Sequence, residues 1–518
     1  MPSTARRGNA RDIVSRVFFN NYSTLPSSED TFFSQEKLYT PRRKRRFLVI
    51  IAVSVLAFSA FGLFFSRPKD LGAPTALQSS TPTEKTAVPE LSELEGDGAD
   101  FPAPGPPLLE TDIPVPQEAT ISPYNSSHVL NGPPTLRFRD NLRHDQKYIT
   151  SWISAGWTND VMTYINLIYL GIITDRIPIV AMFTPSHIGG SVPPIPFGEV
   201  FDVPRLREAL RRPILEWWEV KNNSSQEVDE LGCWNVWEAV QYREHYPRRS
   251  VVPDILSLDI SYTKAPSWVK LIPNFEHDQH STFWSLAILG FPEGHKDNLV
   301  PPLESPRNHV LLPPDEQLLC YDYLYYLCAQ QPFEFNFDFS PAWRFVGQHM
   351  RWTPQLDNLV DQYARRAIGV SDEEATPKWI GIHIRHGDFA NWCGDVPITD
   401  CFAPLPVIAR RVQEVKDELL DRMGIVVENV IMTSDERNET WWEGVRSEGW
   451  FQVDHTETVE RYGAWYPVLI DAGIQSGGVG FVGTDRSTMS IMARRRVESW
   501  HNGVVRMIKW GGPSSDDH

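Results

Sequence analysis

Cysteine is scarce, with five residues among 518, too few for a disulfide-dense mini-scaffold in a chain of this length. A composition of 41% hydrophobic, 12% aromatic and 22% charged residues excludes a collagen and a coiled coil, and leaves room for two globular domains. No internal repeat occurs at solenoid or propeller periods. Cations are also in deficit: 49 Lys+Arg against 66 Asp+Glu leave a net charge of −17, which argues against a chain built to neutralise nucleic-acid phosphates.

The total hides an asymmetry. Residues 1–46 hold ten Lys/Arg against four acids, net +6, so the remainder carries −23. Where the two parts meet, Phe47 to Phe65 reads FLVIIAVSVLAFSAFGLFF, nineteen residues without a charge, and at about 1.5 Å per residue this matches a hydrocarbon core of ~30 Å. The run lies too far into the chain for a signal peptide and lacks a small-residue cleavage site. Arg42–Arg46 abut it, and a basic flank stays cytosolic, so the expectation is a single-pass type II membrane protein with everything after Arg67 exoplasmic.

Beyond the span, thirteen prolines lie between Pro68 and Pro134 among Ser, Thr, Glu, Gly and Ala. Such a segment buries too little apolar surface to offset its ordering entropy, and proline stiffens it into a spacer. The expected organisation is a cytosolic tail (1–46), a transmembrane helix (47–65), a stem (66–138), an N-terminal half (139–350), a C-terminal half (351–512) and a short tail (513–518). All five cysteines lie beyond the span, where disulfides form. Two C-x7-C pairs suggest local bridges Cys320–Cys328 and Cys393–Cys401, leaving Cys233 free; the spacing does not suit a zinc ligand pair. Exoplasmic N-x-S/T sequons begin at Asn125, Asn222, Asn223 and Asn438.

From about Arg139 short apolar runs alternate with helical patterns. Lys147–Ser154 suits a strand, Ala155–Asn159 a turn, and the following segment a helix with an apolar stripe of Val161, Tyr164, Ile165, Ile168 and Leu170. Arg176–Phe183 is then a buried strand. The C-terminal part repeats this: strand Trp379–Ile384, helix Leu405–Met423 ending at Gly424, strand Val427–Ser434, helix Ala464–Ser476, strand Val479–Thr484 and helix Arg486–Trp500. Alternating βα elements predict an α/β fold of two facing Rossmann-like domains, with ligands outside the carboxyl ends of parallel strands. The stretch from about Trp217 to Phe345 shows no regular pattern.

Four features stand at strand ends. His383–Phe389 (HIRHGDF) puts Arg385 after a buried strand, where it either meets a diphosphate or closes a loop through Asp388. In Val479–Arg496, Thr484, Ser487 and Thr488 at a helix start would offer hydroxyls and backbone N–H groups to a phosphate with Arg486 beside them, unless they only cap the helix. Arg494, Arg495 and Arg496 are expected on a solvated face, with the alternative that one of them turns inward. Asp435 in Met432–Glu436 either accepts from a nucleoside or caps the next helix. Gly156 and Asn159 in the Ala155–Asp160 turn allow a close ligand approach, although turn chemistry alone explains them. Trp217, Trp218, Trp234 and Trp237 line an acceptor groove or belong to the core.

These motifs occur in an order that resembles the GDP-fucose protein O-fucosyltransferases. His383–Phe389 is similar to the family's His-x-Arg motif, Val482–Ser490 to its F-[IV]-G-T-x-x-S-T-x-S segment, Thr433–Glu436 to its Asp-containing strand end, and, more loosely, the first βαβ unit to its early Gly/Asn loop. The resemblance implies a GT-B fold and transfer of fucose from GDP-fucose, with inversion, to a Ser/Thr hydroxyl. It also implies roles: Arg385 on the β-phosphate and glycosidic oxygen, Thr484, Ser487 and Thr488 on the diphosphate, His383 shaping the nucleotide pocket, Asp435 on the nucleoside and Asn159 from the early loop.

No Asp-x-Asp triplet occurs in the chain, so no metal is expected and the leaving-group charge falls to arginine and helix N-termini. Some family members place a glutamate in the early loop as a base, whereas Ser154–Asp160 reads SAGWTND; Asp160 is the nearest substitute, and the base stays open because a reaction in which leaving-group departure runs ahead needs little help with the hydroxyl proton. The expected partners are a nucleotide sugar, a protein or glycan acceptor and one membrane, in the Golgi or endoplasmic reticulum with the catalytic domain luminal. The alternatives are a GT-B transferase for another nucleotide sugar and a catalytically silent sugar-nucleotide-binding ectodomain.

Overall fold

A strand covered on both faces reads as a continuous apolar run, and Tyr148–Ser151 (β1) is buried at every position. The computed structural model describes residues 122–371 and 373–516. The basic tail, the Phe47–Phe65 span and the stem to residue 121 lie outside them; among the described residues no helix is long and apolar enough to cross a membrane.

β1 leads through a short loop into helix α1 (Trp157–Ile173) and then β2 (Ile177–Val180). The helix starts at Trp157, earlier than its sequence pattern suggests, so Asn159 joins Asp160 in its first turn rather than lying in a connecting turn. The expected stripe is buried, but so is most of the remaining surface. The reason is that α1 contacts β1 and β2 and also the segments Phe283–Leu289, Pro341–Phe345 and Thr488–His501. Strands β3 (Leu215–Glu216), β4 (Asp229–Asn235), β5 (Leu258–Lys264) and β7 (Leu318–Tyr321) complete a six-stranded parallel sheet of order β3-β2-β1-β7-β4-β5. Strands β6 (Ser281–Thr282) and β8 (Leu327–Cys328) pair separately.

The second sheet follows helix α2 (Pro354–Ile368). Its strands are β9 (Trp379–Ile384), β10 (Asn429–Ser434), β11 (Phe451–Gln452), β12 (Gly480–Thr484) and β13 (Val504–Ile508), all parallel in the order β11-β10-β9-β12-β13. Helices α3 (Leu405–Met423), α4 (Glu439–Ser447), α5 (Tyr466–Gly477) and α6 (Thr488–His501) connect them. On α3 the buried residues Ile408, Val412, Val415 and Leu419 recur at helical spacing, and the helix stops where Gly424 turns left-handed at φ 63°. The two sheets bear out the expected α/β architecture with parallel strands.

Several expectations change. Cys233 of β4 pairs with Cys320 of β7, not Cys320 with Cys328. The two strands are neighbours in the sheet, Trp234 is in register with Tyr321, and the Cα atoms of Cys233 and Cys320 lie 4.5 Å apart. Cys328 belongs to the separate β6–β8 pair and is the buried free thiol. The Cys393–Cys401 bridge forms as expected. Trp217, Trp234 and Trp237 are core residues, and only Trp218 is exposed. Arg495 and Arg496 are buried rather than solvated, because α6 is covered by residues from before β9 as well as by its own sheet. Residues 122–138, read from composition as the end of the stem, lie against the N-terminal half: Leu130 and Phe138 are buried, and the Thr135 N–H donates to the Val220 carbonyl.

Candidate functional site

β9 is the central strand of the second sheet, and at its carboxyl end the chain turns out at Arg385 between the ends of β10 and β12. Both neighbours hold the turn. On the β12 side, the Thr484 hydroxyl accepts the Arg385 N–H at 2.9 Å and donates to the His383 carbonyl at 3.1 Å. On the β10 side, Asp435 accepts the His386 N–H at 2.8 Å. A Cβ on Gly387 would lie 2.3 Å from Asp435 Oδ2, so any other residue here has to displace that carboxylate. Thr484 and Asp435, expected on the diphosphate and the nucleoside, are thus found binding the loop that carries Arg385.

The Arg385 guanidinium is clamped by two carboxylates. Nη2 is 2.7 Å from Asp388 Oδ1, Nε donates to the same oxygen at 2.8 Å, and Nη1 is 3.2 Å from Asp435 Oδ2. The side chain remains 29% exposed, so the fork is fixed yet open to a ligand. The Arg385–Asp388 bridge and a ligand-facing arginine, posed as alternatives by the sequence, are therefore compatible.

Behind the arginine, His383 is buried with Nδ1 2.8 Å from Ser490 Oγ, and the same hydroxyl accepts the Thr484 N–H at 3.0 Å. Burial, reinforced by the nearby Arg385 and His386, pushes its pKa down to about 3, so the ring is neutral at physiological pH. His386 packs alongside with Nδ1 2.7 Å from Glu436 Oε2. No sequence motif singled out Ser490, His386 or Glu436, although all three lie inside the quoted segments.

The start of α6 lies at the end of β12. Ser487 occupies its N-cap position without making a side-chain cap bond. Arg486 adopts the left-handed backbone at φ 68°, and its guanidinium lies 5.8 Å from the Trp510 ring with Nε 3.6 Å from Asp485. Thr488 Oγ1 is 2.7 Å from Thr158 Oγ1 in the first turn of α1, so this hydroxyl joins the two halves. The cap of α4 is Asn438, which accepts from Thr440 N–H, rather than Asp435.

From the N-terminal half, Gly156 is the N-cap of α1, and a Cβ on it would lie 3.1 Å from His187 Cδ2. Asn159 is 3% exposed. Asp160 is fully buried: Oδ1 accepts the Ala155 N–H at 3.1 Å, and burial raises its pKa well above the usual carboxylate range. The geometry gives Asp160 the task of holding the early loop from beneath.

Elsewhere, Asn222, Asn223 and Asn438 are exposed, and Asn125 is half-buried with Oδ1 accepting from Ser127 N–H. A cavity of about 610 Å³ between Asn336–Gln348 and Arg494–Ser499 is lined by none of the expected site residues. Among the described residues no group of three or more His, Cys, Asp or Glu is placed to hold a metal ion.

No protein-family model matches the chain. No curated protein matches it either. Among solved structures, it is similar to POFUT1 in complex with GDP-fucose, at 13% identity over 71% of this chain and 99% of that one, with a TM-score of 0.43. It is also similar to NodZ alpha-1,6-fucosyltransferase soaked with GDP-fucose, at 12% identity over 72% of this chain and 98% of that one, with a TM-score of 0.36. The fucosyltransferase NodZ from Bradyrhizobium matches at 12% identity over 68% of this chain and 93% of that one, with a TM-score of 0.34. The POFUT1 structure is a complex with GDP-fucose, and both NodZ structures are of fucosyltransferases.

Proposed function

We propose that the chain is a glycosyltransferase that moves fucose from GDP-fucose to a Ser/Thr hydroxyl of a secretory-pathway protein, with inversion and without a metal ion. In this reading it is a single-pass type II membrane protein of the Golgi or endoplasmic reticulum, anchored by Phe47–Phe65 with the catalytic domain luminal. The observation that carries the reading is Arg385, a held but solvent-accessible guanidinium at the carboxyl end of the central strand, close to the start of α6. A fixed fork of N–H donors suits the charge that grows on a departing diphosphate. His383 stays neutral behind it, so the pocket wall adds no second buried charge, and Thr484 and Asp435 keep the fork in register.

Arg385→Ala tests this directly. Wild-type-like thermal unfolding with turnover lowered by about 10²–10³-fold is expected, and Arg385→Lys should not restore it because an ammonium lacks the planar fork. Wild-type activity in Arg385→Ala would sink the assignment. The donor is tested by thermal shift with GDP-fucose, GDP-mannose, UDP-sugars and GDP, since a ligand at a hundred times its Kd stabilises by about 2.7 kcal/mol. A shift with UDP-sugars alone would replace the donor.

One observation favours the second reading, a catalytically silent sugar-nucleotide-binding ectodomain: Asp160, the only acid of the early loop, is fully buried. Release of GDP from GDP-fucose by the wild-type chain would exclude it.

A further inference from the structure

With Asp160 buried beneath the early loop, the acceptor proton needs another destination, and the loop after β2 offers one. Phe183 and Ile195 exchange backbone hydrogen bonds of 2.8 and 3.0 Å, closing the segment Thr184–Pro194 into a loop at the carboxyl end of the first sheet. Inside it, Ser186 N–H donates to the Thr184 carbonyl, and the N–H groups of Ile188 and Gly189 donate to Pro185. Its far arm is tied to the other half of the molecule: Trp465 Nε1–H, just before α5, donates to the Pro193 carbonyl at 2.8 Å. The loop is thus anchored to both halves.

His187 stands within this loop at φ 66°, a left-handed conformation that costs a residue with a Cβ of this size on the order of 1–2 kcal/mol. Such strain persists only where surrounding bonds impose it, and it recurs at functional sites. The ring lies against Gly156, with Cδ2 3.1 Å and Nε2 3.5 Å from where a Cβ on that glycine would be. The charged groups within its electrostatic reach are Arg385 and Asp388, the clamped pair of the candidate site. The residue keeps solvent access although the surrounding chain partly desolvates its ring, and neither ring nitrogen is hydrogen-bonded among the described residues.

We propose that His187 is the general base of the transfer reaction. The proposal rests on the transferase reading given above. The acceptor O–H bond breaks and its proton goes to an imidazole nitrogen of His187. The acceptor oxygen forms a bond to the anomeric carbon while the bond from that carbon to the β-phosphate oxygen breaks, and its electron pair leaves on GDP, where Arg385 meets the charge. His187 comes from the N-terminal half and Arg385 from the C-terminal half, so proton acceptor and leaving-group donor are supplied by different walls. Desolvation, and then the Arg385 cation, hold the imidazole pKa below its usual value against a smaller opposing pull from Asp388, so the ring is neutral and basic at physiological pH.

The test uses the full chain with water as the acceptor, reading GDP released from GDP-fucose, together with GDP binding by thermal shift. His187→Gln and His187→Asn are compared, the second because asparagine tolerates the left-handed backbone. The expected result is unchanged GDP binding, a loss of about 10²–10⁴-fold in kcat, and disappearance of the acidic limb of the pH–rate profile, which in wild type falls below the ordinary histidine pKa of about 6.5. A wild-type rate in either folded variant overturns the base and leaves the transferase reading standing. Loss of GDP binding together with the rate in both variants overturns it in favour of a loop-holding role. Absence of GDP binding and turnover in the wild-type chain overturns the transferase reading itself.

Discussion

Asp435 reaches from the end of β10 to Arg385 at the end of β9, with Oδ2 3.2 Å from Nη1 while Oδ1 accepts the next backbone N–H, that of His386, at 2.8 Å. One carboxylate therefore sets both the fork and the path of the chain behind it.

Two substitutions test that relationship. Asp435→Asn keeps the shape and the acceptor for His386 but removes the negative charge that faces Arg385, and a charge-assisted bond of about 1.5–3 kcal/mol corresponds to a ten- to hundredfold fall in kcat/KM. Gly387→Ala places a methyl 2.3 Å from Asp435 Oδ2 and should lower both stability, by about 1–3 kcal/mol, and turnover. Thermal unfolding and GDP release measure the two effects, and a fully active, fully stable Gly387→Ala would show that the loop is not held this way.

The buried His383 makes stability depend on pH. Its pKa is about 3 in the folded chain and about 6.5 when unfolded, so the unfolded state takes up the proton first. The contribution is complete above pH ~6.5 and is lost as pH falls towards 3, on the order of 5 kcal/mol over the whole window. His383→Asn, which retains a partner for Ser490, should flatten the loss measured by denaturant unfolding between pH 6.5 and 4. Equal slopes for the two proteins would contradict a neutral buried ring.

Arg495 and Arg496 are neighbours on α6 with opposite expected effects. Arg495 donates to the carbonyls of Phe335 and Asn336 and pairs with Glu498, so Arg495→Met strands buried acceptors and should cost about 1–3 kcal/mol. Arg496 is buried over the Trp352 ring at 4.2 Å, with its Nε lacking a hydrogen-bond partner, and burial pulls its pKa down to about 9. Arg496→Met should be neutral or stabilising, because an apolar side chain of similar length avoids the desolvation cost. Urea denaturation of both variants checks the contrast, and a large loss in Arg496→Met would contradict it.

The disulfides also differ in weight. Cys233–Cys320 closes a separation of 87 residues and Cys393–Cys401 one of 8, so loop-closure entropy assigns about 4–5 kcal/mol to the first and about 2–3 to the second. Peptide mapping without reduction should find these two pairs with Cys328 unmodified, and Cys233→Ser should lower the unfolding midpoint more than Cys393→Ser. A mapped Cys320–Cys328 link would overturn the strand order between β4 and β7.

Much of the C-terminal half is readable from local pattern. The run Trp379–Ile384 declares a buried strand, and the spacing of Ile408, Val412, Val415 and Leu419 declares α3, because each element buries a face set by its own period. The N-terminal half is less so. Strand β7 enters the sheet between β1 and β4 after a long irregular excursion from β5, and no local periodicity announces a neighbour so distant in the chain. The segment 217–345, without pattern in the sequence, holds β4 to β8 for this reason. Among the site residues, Arg385 was found from its position after a strand. His187 was not, since a lone histidine between Ser186 and Ile188 carries no signal until the loop is closed.

By itself the sequence determined the alternation of βα elements, the strand-end motifs and the charge asymmetry about Phe47–Phe65, all of which depend on residues close together in the chain. Tertiary structure alone decided that Cys233 takes Cys320, that Asp435 and Thr484 bind the Arg385 turn, that Asp160 lies beneath its loop and that His187 stands beside Gly156. These depend on which strands lie side by side and which loops meet at their ends, and side-chain contacts across a sheet are set by that order rather than by distance along the chain.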